Sequence, residues 1–272
     1  MNRRDFLLTA AAGVMMPAIG RASAEPLTDE EREQFLLQAE VVKKKGVKTG
    51  TTGTSRLTLR RGDFIHDASL QAIDVFKDRF ETAAGMELNF RDSYKFNIAA
   101  YRLDRLIHLN MAPVSVERKV GGKLASVTWW VDDVQMMEVE RHTKKISPPN
   151  RAVWLDQMHN VRIFNELVYN TDPNLGNLLI TNDWGIRLID FSRAFRTSPT
   201  LRRPENLGRI DQRIYDGLRA LTHEKVEAAL GSLLRKSEID GLMARKDRIM
   251  EFFEAGIAEK GEQTVVCMLE GH

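Results

Sequence analysis

The chain has 272 residues, of which 43% are hydrophobic and 29% are charged, with a single cysteine. This composition is typical of a globular protein and excludes a disordered, collagen-like or disulfide-stapled chain. The formal net charge of +2 arises in the first 24 residues, which hold three arginines against one aspartate. Because acidic and basic residues balance in the rest of the chain, we expect no nucleic-acid partner and no binding to an anionic membrane surface.

Residues 1–24 have the organisation of a secretory signal. Arg3 and Arg4 precede a short apolar run and a small-residue cleavage site that ends at Ala24. The order of these regions is typical of an export signal, and the paired arginines resemble a twin-arginine signal. We therefore expect a mature chain that begins near Glu25 and works in the periplasm or is otherwise exported. The alternatives are an N-terminal amphipathic helix and an uncleaved anchor.

The apolar run of this signal is too short, and too rich in Ala and Gly, for a good transmembrane helix, which needs about 20 strongly apolar residues. No later segment approaches that length. We expect no stable membrane span in the mature chain.

The next part of the chain alternates between turn signals and short periodic segments. A helix is predicted to start at the capping box of Thr28 and Glu31 and to fill residues 25–45. Alternation of polar and apolar residues predicts strands at 56–60 and at 64–74. These segments indicate a β-rich N-terminal region.

Helical spacing of apolar residues returns at 92–109 and predicts a helix there. Two strand-like runs on either side of Gly121 and Gly122 predict a hairpin over 114–131. Farther along, nearly every segment has helical spacing apart from a short strand-turn-strand at 178–190. A β-rich part followed by a helical part predicts an α+β fold of two lobes with a cleft between them.

The side chains best suited to chemistry lie around the strand-turn-strand. Asp172 stands in a loop five residues before Asn177, and Asp190 follows three apolar residues at the far end of the predicted hairpin. Phosphoryl transfer needs an oriented hydroxyl and metal ions that neutralise the phosphates. The Asp172 carboxylate can accept a hydroxyl proton, while the Asn177 amide oxygen and the Asp190 carboxylate are hard ligands suited to Mg²⁺ or Mn²⁺. The hairpin is expected to bring Asn177 and Asp190 to one end of a two-stranded element.

The spacing of Asp172 and Asn177, followed by Ile189-Asp190-Phe191, resembles the catalytic loop and metal-binding acid of protein kinases. Because Asn-Thr-Asp replaces His-Arg-Asp, the likeness is closer to the atypical kinases of the phosphoinositide-kinase, HipA-like and secretory-pathway groups. The chain would be a bacterial exported member. The resemblance implies a two-lobed protein-kinase-like fold that binds ATP with Mg²⁺ or Mn²⁺.

Carried over by position, the resemblance assigns roles to individual residues. Asp172 matches the catalytic acid, Asn177 and Asp190 match the metal ligands, and Gly50 and Gly53 match the turn that covers the phosphates. The implied divisions of the chain are the signal at 1–24, the N-terminal helix at 25–45, the N-lobe at 46–132, and the helical C-lobe with the catalytic and metal loops at 133–272.

The lysine that holds the phosphates in related sequences is missing. Gln71 occupies its strand position, and Asn97 occupies the position of its acidic partner on the helix. Such an amide pair keeps a hydrogen bond but removes both charges. We expect Lys77 to substitute, with Asp92 or Glu81 as its partner.

The leading hypothesis is an exported, metal-dependent, nucleotide-binding phosphotransferase whose acceptor is a protein, a lipid or a small molecule. The alternative is a catalytically impaired pseudokinase that acts as an extracytoplasmic binding module, which the loss of charge at Gln71 and Asn97 favours. A third possibility is an unrelated structural domain, in which Asp172 and its neighbours Pro173 and Asn174 form an ordinary turn.

Overall fold

A computed structural model describes residues 27–46, 54–82 and 85–268. In chain order, the elements are α1 (Asp29–Gln38), β1 (Glu40–Gly46), β2 (Ser55–Arg61), β3 (Phe64–Gln71), β4 (Asp74–Thr82), β5 (Gly85–Ser93), α2 (Lys95–Leu106), β6 (Ser115–Val120), β7 (Lys123–Trp129), β8 (Val134–Met137), α3 (Glu138–Lys144), α4 (Arg151–Leu167), β9 (Leu178–Thr181), β10 (Ile186–Leu188), β11 (Ile210–Asp211), α5 (Gln212–Arg219), α6 (His223–Leu230), α7 (Lys236–Lys260), α8 (Glu262–Val265) and β12 (Val266–Cys267).

The first lobe is built on an antiparallel sheet with the strand order β1-β2-β3-β7-β6. Alternate side chains of a strand face opposite sides of a sheet. Leu57 and Leu59 of β2, with Ala68 and Leu70 of β3, face the side that packs against Phe35 of α1 to form a separate apolar core. Gln71 lies on the opposite face of the sheet by the alternation of β3.

The hairpin predicted at 114–131 is present as β6 and β7. Its turn requires positive φ at both central residues, and Gly121 (φ 58°) and Gly122 (φ 84°) supply it without the steric cost of a Cβ. The local sequence was sufficient to predict this hairpin because its turn residues and both of its paired strands lie between Ser115 and Trp129.

The predicted first helix is shorter than expected. Its capping box is present, since the Thr28 N–H donates to Glu31 Oε2 at 2.8 Å and the Glu31 N–H donates to Thr28 Oγ1 at 3.2 Å. The helix ends at Gln38, however, and Glu40–Gly46 forms β1, which pairs with β2. The prediction of one helix over 25–45 is therefore wrong in its last third. Pairing with β2 decides this segment, and its lysines suit an exposed edge strand.

A hairpin of β4 and β5 is inserted between β3 and α2, where the sequence predicted one strand over 64–74 and a helix from Asp92. Strand β3 ends at Gln71, and Asp92 lies in β5 rather than in a helix. The hairpin reaches the second lobe through an ion pair of Arg91 with Glu238 of α7, at 2.8 Å between Nη1 and Oε2. This ion pair joins segments that are far apart in the sequence, so the local periodicity did not reveal it.

The second lobe is mostly helical and surrounds the larger apolar core. Phe164 of α4 packs edge-on against Phe191, with ring centroids 5.4 Å apart. Phe96 of α2 packs against Phe195 at 5.5 Å, so that α2 belongs to this core as well as to the first lobe. This lobe also contains a small sheet of order β10-β9-β8. No helix in the described ranges is both long and apolar enough to cross a membrane.

This arrangement confirms the predicted fold class, which was an α+β fold with a β-rich first lobe and a mostly helical second lobe. The strand-turn-strand predicted at 178–190 is present as β9 and β10, which pair with each other. The open end of this hairpin, where β9 begins and β10 ends, lies beside Gln71 of the first lobe. This placement positions the candidate site.

Candidate functional site

The β9–β10 hairpin brings the predicted metal ligands together. Asn177 lies directly before β9, and Asp190 lies two residues after β10, in which Leu188 pairs with Leu178. The Ile189 N–H donates to the Asn177 carbonyl at 3.0 Å. Both residues are therefore at the same end of the hairpin, as the spacing of the sequence predicts.

Asp172 joins this group from the preceding loop. The Asn177 side-chain amide donates to the Asp172 carbonyl at 3.4 Å. The Asp172 N–H donates to Asn170 Oδ1 at 3.0 Å, which closes an Asx turn. Asn170 is buried, and its own amide donates to Asn165 Oδ1 at 2.9 Å at the end of α4. Sequence reasoning missed Asn170, although Asn two residues before a loop acid is a recognisable Asx-turn signal.

Asp190 adopts a left-handed backbone conformation with φ 58°. Aspartate tolerates this region better than most residues because its short polar side chain can bond locally. Its Oδ1 accepts a hydrogen bond from Gln71 Nε2 at 3.3 Å. The following N–H, that of Phe191, donates to Asn97 Oδ1 at 2.8 Å. Two side chains of the first lobe thus hold the backbone and the carboxylate at this point.

Gln71 and Asn97 form the amide pair that the resemblance to kinases predicts. Gln71 is the last residue of β3 and Asn97 lies in α2. Asn97 Nδ2 is 2.5 Å from Gln71 Oε1, and Ser126 Oγ is 3.4 Å from the same nitrogen. The pair is neutral, so it orients Asp190 without adding a positive charge.

Lys77 does not join this group. It lies on the exposed strand β4, and its Nζ is 4.6 Å from the centre of the Phe80 ring in the same hairpin. Its expected partner Asp92 is paired instead with Arg193, at 3.1 Å between Oδ2 and Nε. Glu81 lies opposite Met86 across the hairpin. Lys77 forms no hydrogen bond or ion pair with Asp190, Gln71 or Asn97 in the described part of the chain, and its role as the phosphate-binding cation stays a prediction.

Gly50 and Gly53 lie outside the described residues. The strands on either side of them, β1 and β2, are neighbours in the five-stranded sheet. The segment that contains the two glycines is therefore the connection between the first two strands, and its role in covering phosphates stays a prediction.

The sheet face above Asp190 is polar. Asp67 and Ser69 share this face with Gln71 by the two-residue period of β3, and Arg56 of β2 pairs in register with Ser69. Arg56 Nε is 2.6 Å from Asp67 Oδ2, and its guanidinium lies 4.2 Å from the centre of a Trp130 ring. Burial would raise the pKa of Asp67, but hydrogen bonds from Thr58 and Arg56 outweigh it and hold the pKa below its usual value.

Solved structures of other proteins are similar to this chain over most of its length. A hydra Fam20 solved with sugar superposes with a TM-score of 0.65 at 14% identity, covering 89% of this chain and 93% of that protein. A Golgi casein kinase with Mn and ADP bound gives a TM-score of 0.63 at 13% identity, covering 88% and 78% of the two chains. The chain has an atypical kinase-like fold. No family model matches the sequence, and no match was found among curated proteins.

Within this kinase-like fold, a divalent ion fits the oxygen donors at the end of the β9–β10 hairpin. The Asn177 amide nitrogen is used toward Asp172, which leaves its Oδ1 as an acceptor, and Gln71 donates to only one oxygen of Asp190. Such hard oxygens suit Mg²⁺ or Mn²⁺, and Mg²⁺ commonly completes its coordination with water and substrate phosphates. The described residues contain no cluster of three or more His, Cys, Asp or Glu side chains that could hold an ion alone. The donor set therefore fits an ion shared with a phosphate ligand.

Arg193 is the residue of the kinase-like site that the sequence reasoning missed most clearly. Its Nη1 lies 3.7 Å from Asp172 Oδ2, while its Nε donates to the buried Asp92. The available signal was an arginine three positions after Asp190. Its approach to Asp172 depends on the return of the chain across the loop that carries Asp172, which no local pattern shows.

Proposed function

We propose that this chain is a metal-dependent, nucleotide-binding phosphotransferase. The observation that carries the proposal is the convergence of Asp172, Asn177 and Asp190 at one end of a hairpin in a kinase-like fold. The similarity to a Golgi casein kinase solved with Mn and ADP supports ATP as the nucleotide and Mg²⁺ or Mn²⁺ as the ion.

The proposed mechanism gives each side chain one task. Asn177 Oδ1 and the Asp190 carboxylate would hold the ion, which neutralises phosphate charge when it is bound. Gln71 orients the Asp190 carboxylate, and Asn97 fixes the backbone that follows it. Asp172 accepts the proton of an acceptor hydroxyl as the hydroxyl oxygen bonds to the terminal phosphorus and the nucleoside diphosphate leaves.

The acceptor in this proposal is a hydroxyl of a protein, a lipid or a small molecule. Gly50 and Gly53 would cover the phosphates from the β1–β2 connection. The polar sheet face formed by Arg56, Asp67 and Ser69 offers hydrogen bonds to a nucleobase, in place of the aliphatic surface that an apolar base pocket provides.

We also propose that the protein is exported through a twin-arginine signal at residues 1–24, on the sequence evidence alone. Fusion of these residues to a folded reporter should direct it to the periplasm, and replacement of both Arg3 and Arg4 by Lys should stop its export. Retention of the unaltered fusion in the cytoplasm would contradict this part of the proposal.

A pseudokinase that binds nucleotide or a partner without turnover is the second candidate. The neutral Gln71–Asn97 pair favours it, because an amide cannot neutralise phosphate as an ammonium does. Retained nucleotide binding together with an absence of phosphoryl transfer would distinguish it from the first candidate.

The test of nucleotide binding is thermal unfolding of the full chain with and without millimolar ATP plus Mg²⁺ or Mn²⁺. Ligand at about 100 times its dissociation constant stabilises the folded state by roughly 2.7 kcal/mol. We expect a metal-dependent shift that Asp190→Asn abolishes, since Asn also tolerates the left-handed backbone of this position.

Asp240→Asn is the matched control, because this exposed aspartate of α7 pairs only with Lys236 in the described part of the chain. It should keep the full shift. An Asp190→Asn variant that responds like the parent contradicts the metal assignment, and a parent without any shift contradicts nucleotide binding as a whole.

A further inference from the structure

Among the residues that the structure describes, no lysine forms a hydrogen bond or ion pair with Asp190, whose side-chain partner is Gln71. Gln71 is neutral in that position, and Lys77 lies over Phe80 on the β4–β5 hairpin. Charge that develops on a transferring phosphoryl group is commonly stabilised by a positioned cation in addition to the metal. Among the described residues, the side chain that forms an ion pair with Asp172 is Arg193.

The guanidinium of Arg193 is anchored through its Nε, which leaves its outer nitrogens free of hydrogen bonds within the described residues. Its Nε donates to Asp92 Oδ2 at 3.1 Å, and its Nη1 is 3.7 Å from Asp172 Oδ2, which is too far for a hydrogen bond. Within the described residues, Nε is the one nitrogen of this side chain that donates a hydrogen bond. The side chains of Arg193 and Asp172 are 35% and 47% exposed, so a ligand can reach them.

The backbone of Arg193 is fixed independently of its side chain. Its carbonyl accepts hydrogen bonds from the Thr171 N–H at 3.3 Å and from Thr171 Oγ1 at 2.8 Å. Thr171 precedes Asp172, so the arginine is tied to the loop of the proposed catalytic acid. Asp92 is only 3% exposed, and it anchors the guanidinium from the opposite side.

We propose that Arg193 binds the terminal phosphoryl group of the nucleotide and supplies the positive charge that β3 lacks. The planar guanidinium fork matches phosphate oxygens. A phosphate oxygen takes the place of the Asp172 carboxylate beside Nη1, which leaves that carboxylate available for the proton of the acceptor. The acceptor oxygen bonds to phosphorus, the bond to the bridging oxygen of the diphosphate breaks, and Arg193 remains protonated throughout.

This inference rests on the proposed function, and it predicts a preference for the triphosphate. We expect the full chain to bind Mn·ATP about tenfold more tightly than Mn·ADP, since one charge-assisted contact contributes about that much. Arg193→Gln should reduce this ratio to near one while the affinity for Mn·ADP stays nearly constant. Arg193→Lys should retain part of it. Isothermal titration calorimetry of each variant with both nucleotides provides the measurement.

A second variant separates ligand contact from folding. Arg193→Gln removes the ion pair of the buried Asp92 carboxylate, so the double variant Asp92→Asn/Arg193→Gln removes that carboxylate charge as well. It should fold and should also lack the preference for Mn·ATP. Arg209→Gln is the matched control, because Arg209 pairs with Asp156 of α4, away from Asp172. It should bind both nucleotides with the ratio of the parent.

The outcomes separate this inference from the function on which it rests. A parent that binds neither Mn·ATP nor Mn·ADP overturns both. A parent that binds both nucleotides equally overturns the role of Arg193 and leaves the nucleotide site in place. The same conclusion follows if the double variant keeps the ratio of the parent. A ratio lost in both variants without Arg193 and kept in Arg209→Gln supports the proposal.

Discussion

Asn97 of α2 donates its side-chain amide to Gln71 of β3 at 2.5 Å, and Gln71 in turn donates to Asp190 at 3.3 Å. A helix, a strand and the loop after β10 are thus joined by a relay of amides. The relay orients Asp190 as an ion pair would. It adds no positive charge beside the carboxylate, because both amides are neutral. Asp190, the proposed metal ligand, is therefore oriented by the first lobe, and a bound phosphate would need a cation other than this neutral pair.

Asn97→Ala tests this relay. The change removes the partners of Gln71 Oε1 and of the Phe191 N–H. We expect the free energy of unfolding to fall by about 1–3 kcal/mol, because partly buried polar groups lose their hydrogen bonds. Urea denaturation measures the change, and Asn182→Ala, which removes an exposed amide, should stay within about 0.5 kcal/mol of the parent. Equal stability of the two variants would show that the relay is not a structural link.

Asp172→Asn tests the proton acceptor. The side chain is 47% exposed and pairs with Arg193 only at 3.7 Å, so the substitution should leave the fold and Mn·ATP binding nearly unchanged. Loss of a general base typically lowers a rate by about 10²–10⁴-fold. Phosphate release from ATP, or transfer to an acceptor once one is found, measures the rate. Unchanged turnover would remove Asp172 from the mechanism.

Arg91→Ala tests the attachment of the β4–β5 hairpin to the second lobe. The Arg91 and Glu238 side chains are 11% and 5% exposed, so removal of the arginine leaves a buried carboxylate without its cation. We expect a loss of about 3–5 kcal/mol in the free energy of unfolding. Lys236→Ala provides the comparison in the same helix, since its pair with Asp240 is exposed and should contribute less than about 1 kcal/mol. A similarly small loss in the free energy of unfolding for both variants would show that the Arg91–Glu238 pair does not attach the hairpin to the second lobe.

His159 predicts a pH dependence of stability. Burial, together with the nearby charge of Arg162, lowers the pKa of its imidazole below the usual 6.5. The unfolded chain then binds more protons than the folded chain below that pH, so the contribution of His159 is complete above pH 6.5 and is lost as the pH falls through the folded pKa. Denaturant unfolding between pH 7.5 and pH 5 should therefore show a fall in stability that is smaller in His159→Gln. Identical pH profiles would exclude this histidine as a source of the fall.

Local patterns were sufficient for several parts of the fold. The capping box at Thr28, the turn at Gly121 and Gly122, and the β9–β10 hairpin each depend on hydrogen bonds between residues close in sequence. The end of the first helix was misplaced because the strand identity of β1 comes from pairing with β2. The β4–β5 hairpin was missed because its aromatic residues contact the second lobe, as the stacking of Arg235 on Phe76 shows.

The sequence by itself determined the two-lobed α+β class and the proximity of Asn177 and Asp190, because one short hairpin joins these two residues. Asp172 is five residues before Asn177 and meets it within the preceding loop. Only the tertiary structure decided which cation lies nearby. Lys77 lies over Phe80 within the β4–β5 hairpin, whereas Arg193 is held between Asp172 and an aspartate 101 positions earlier in the chain. Charges interact through distance in space, and a contact across that many residues is created by folding alone.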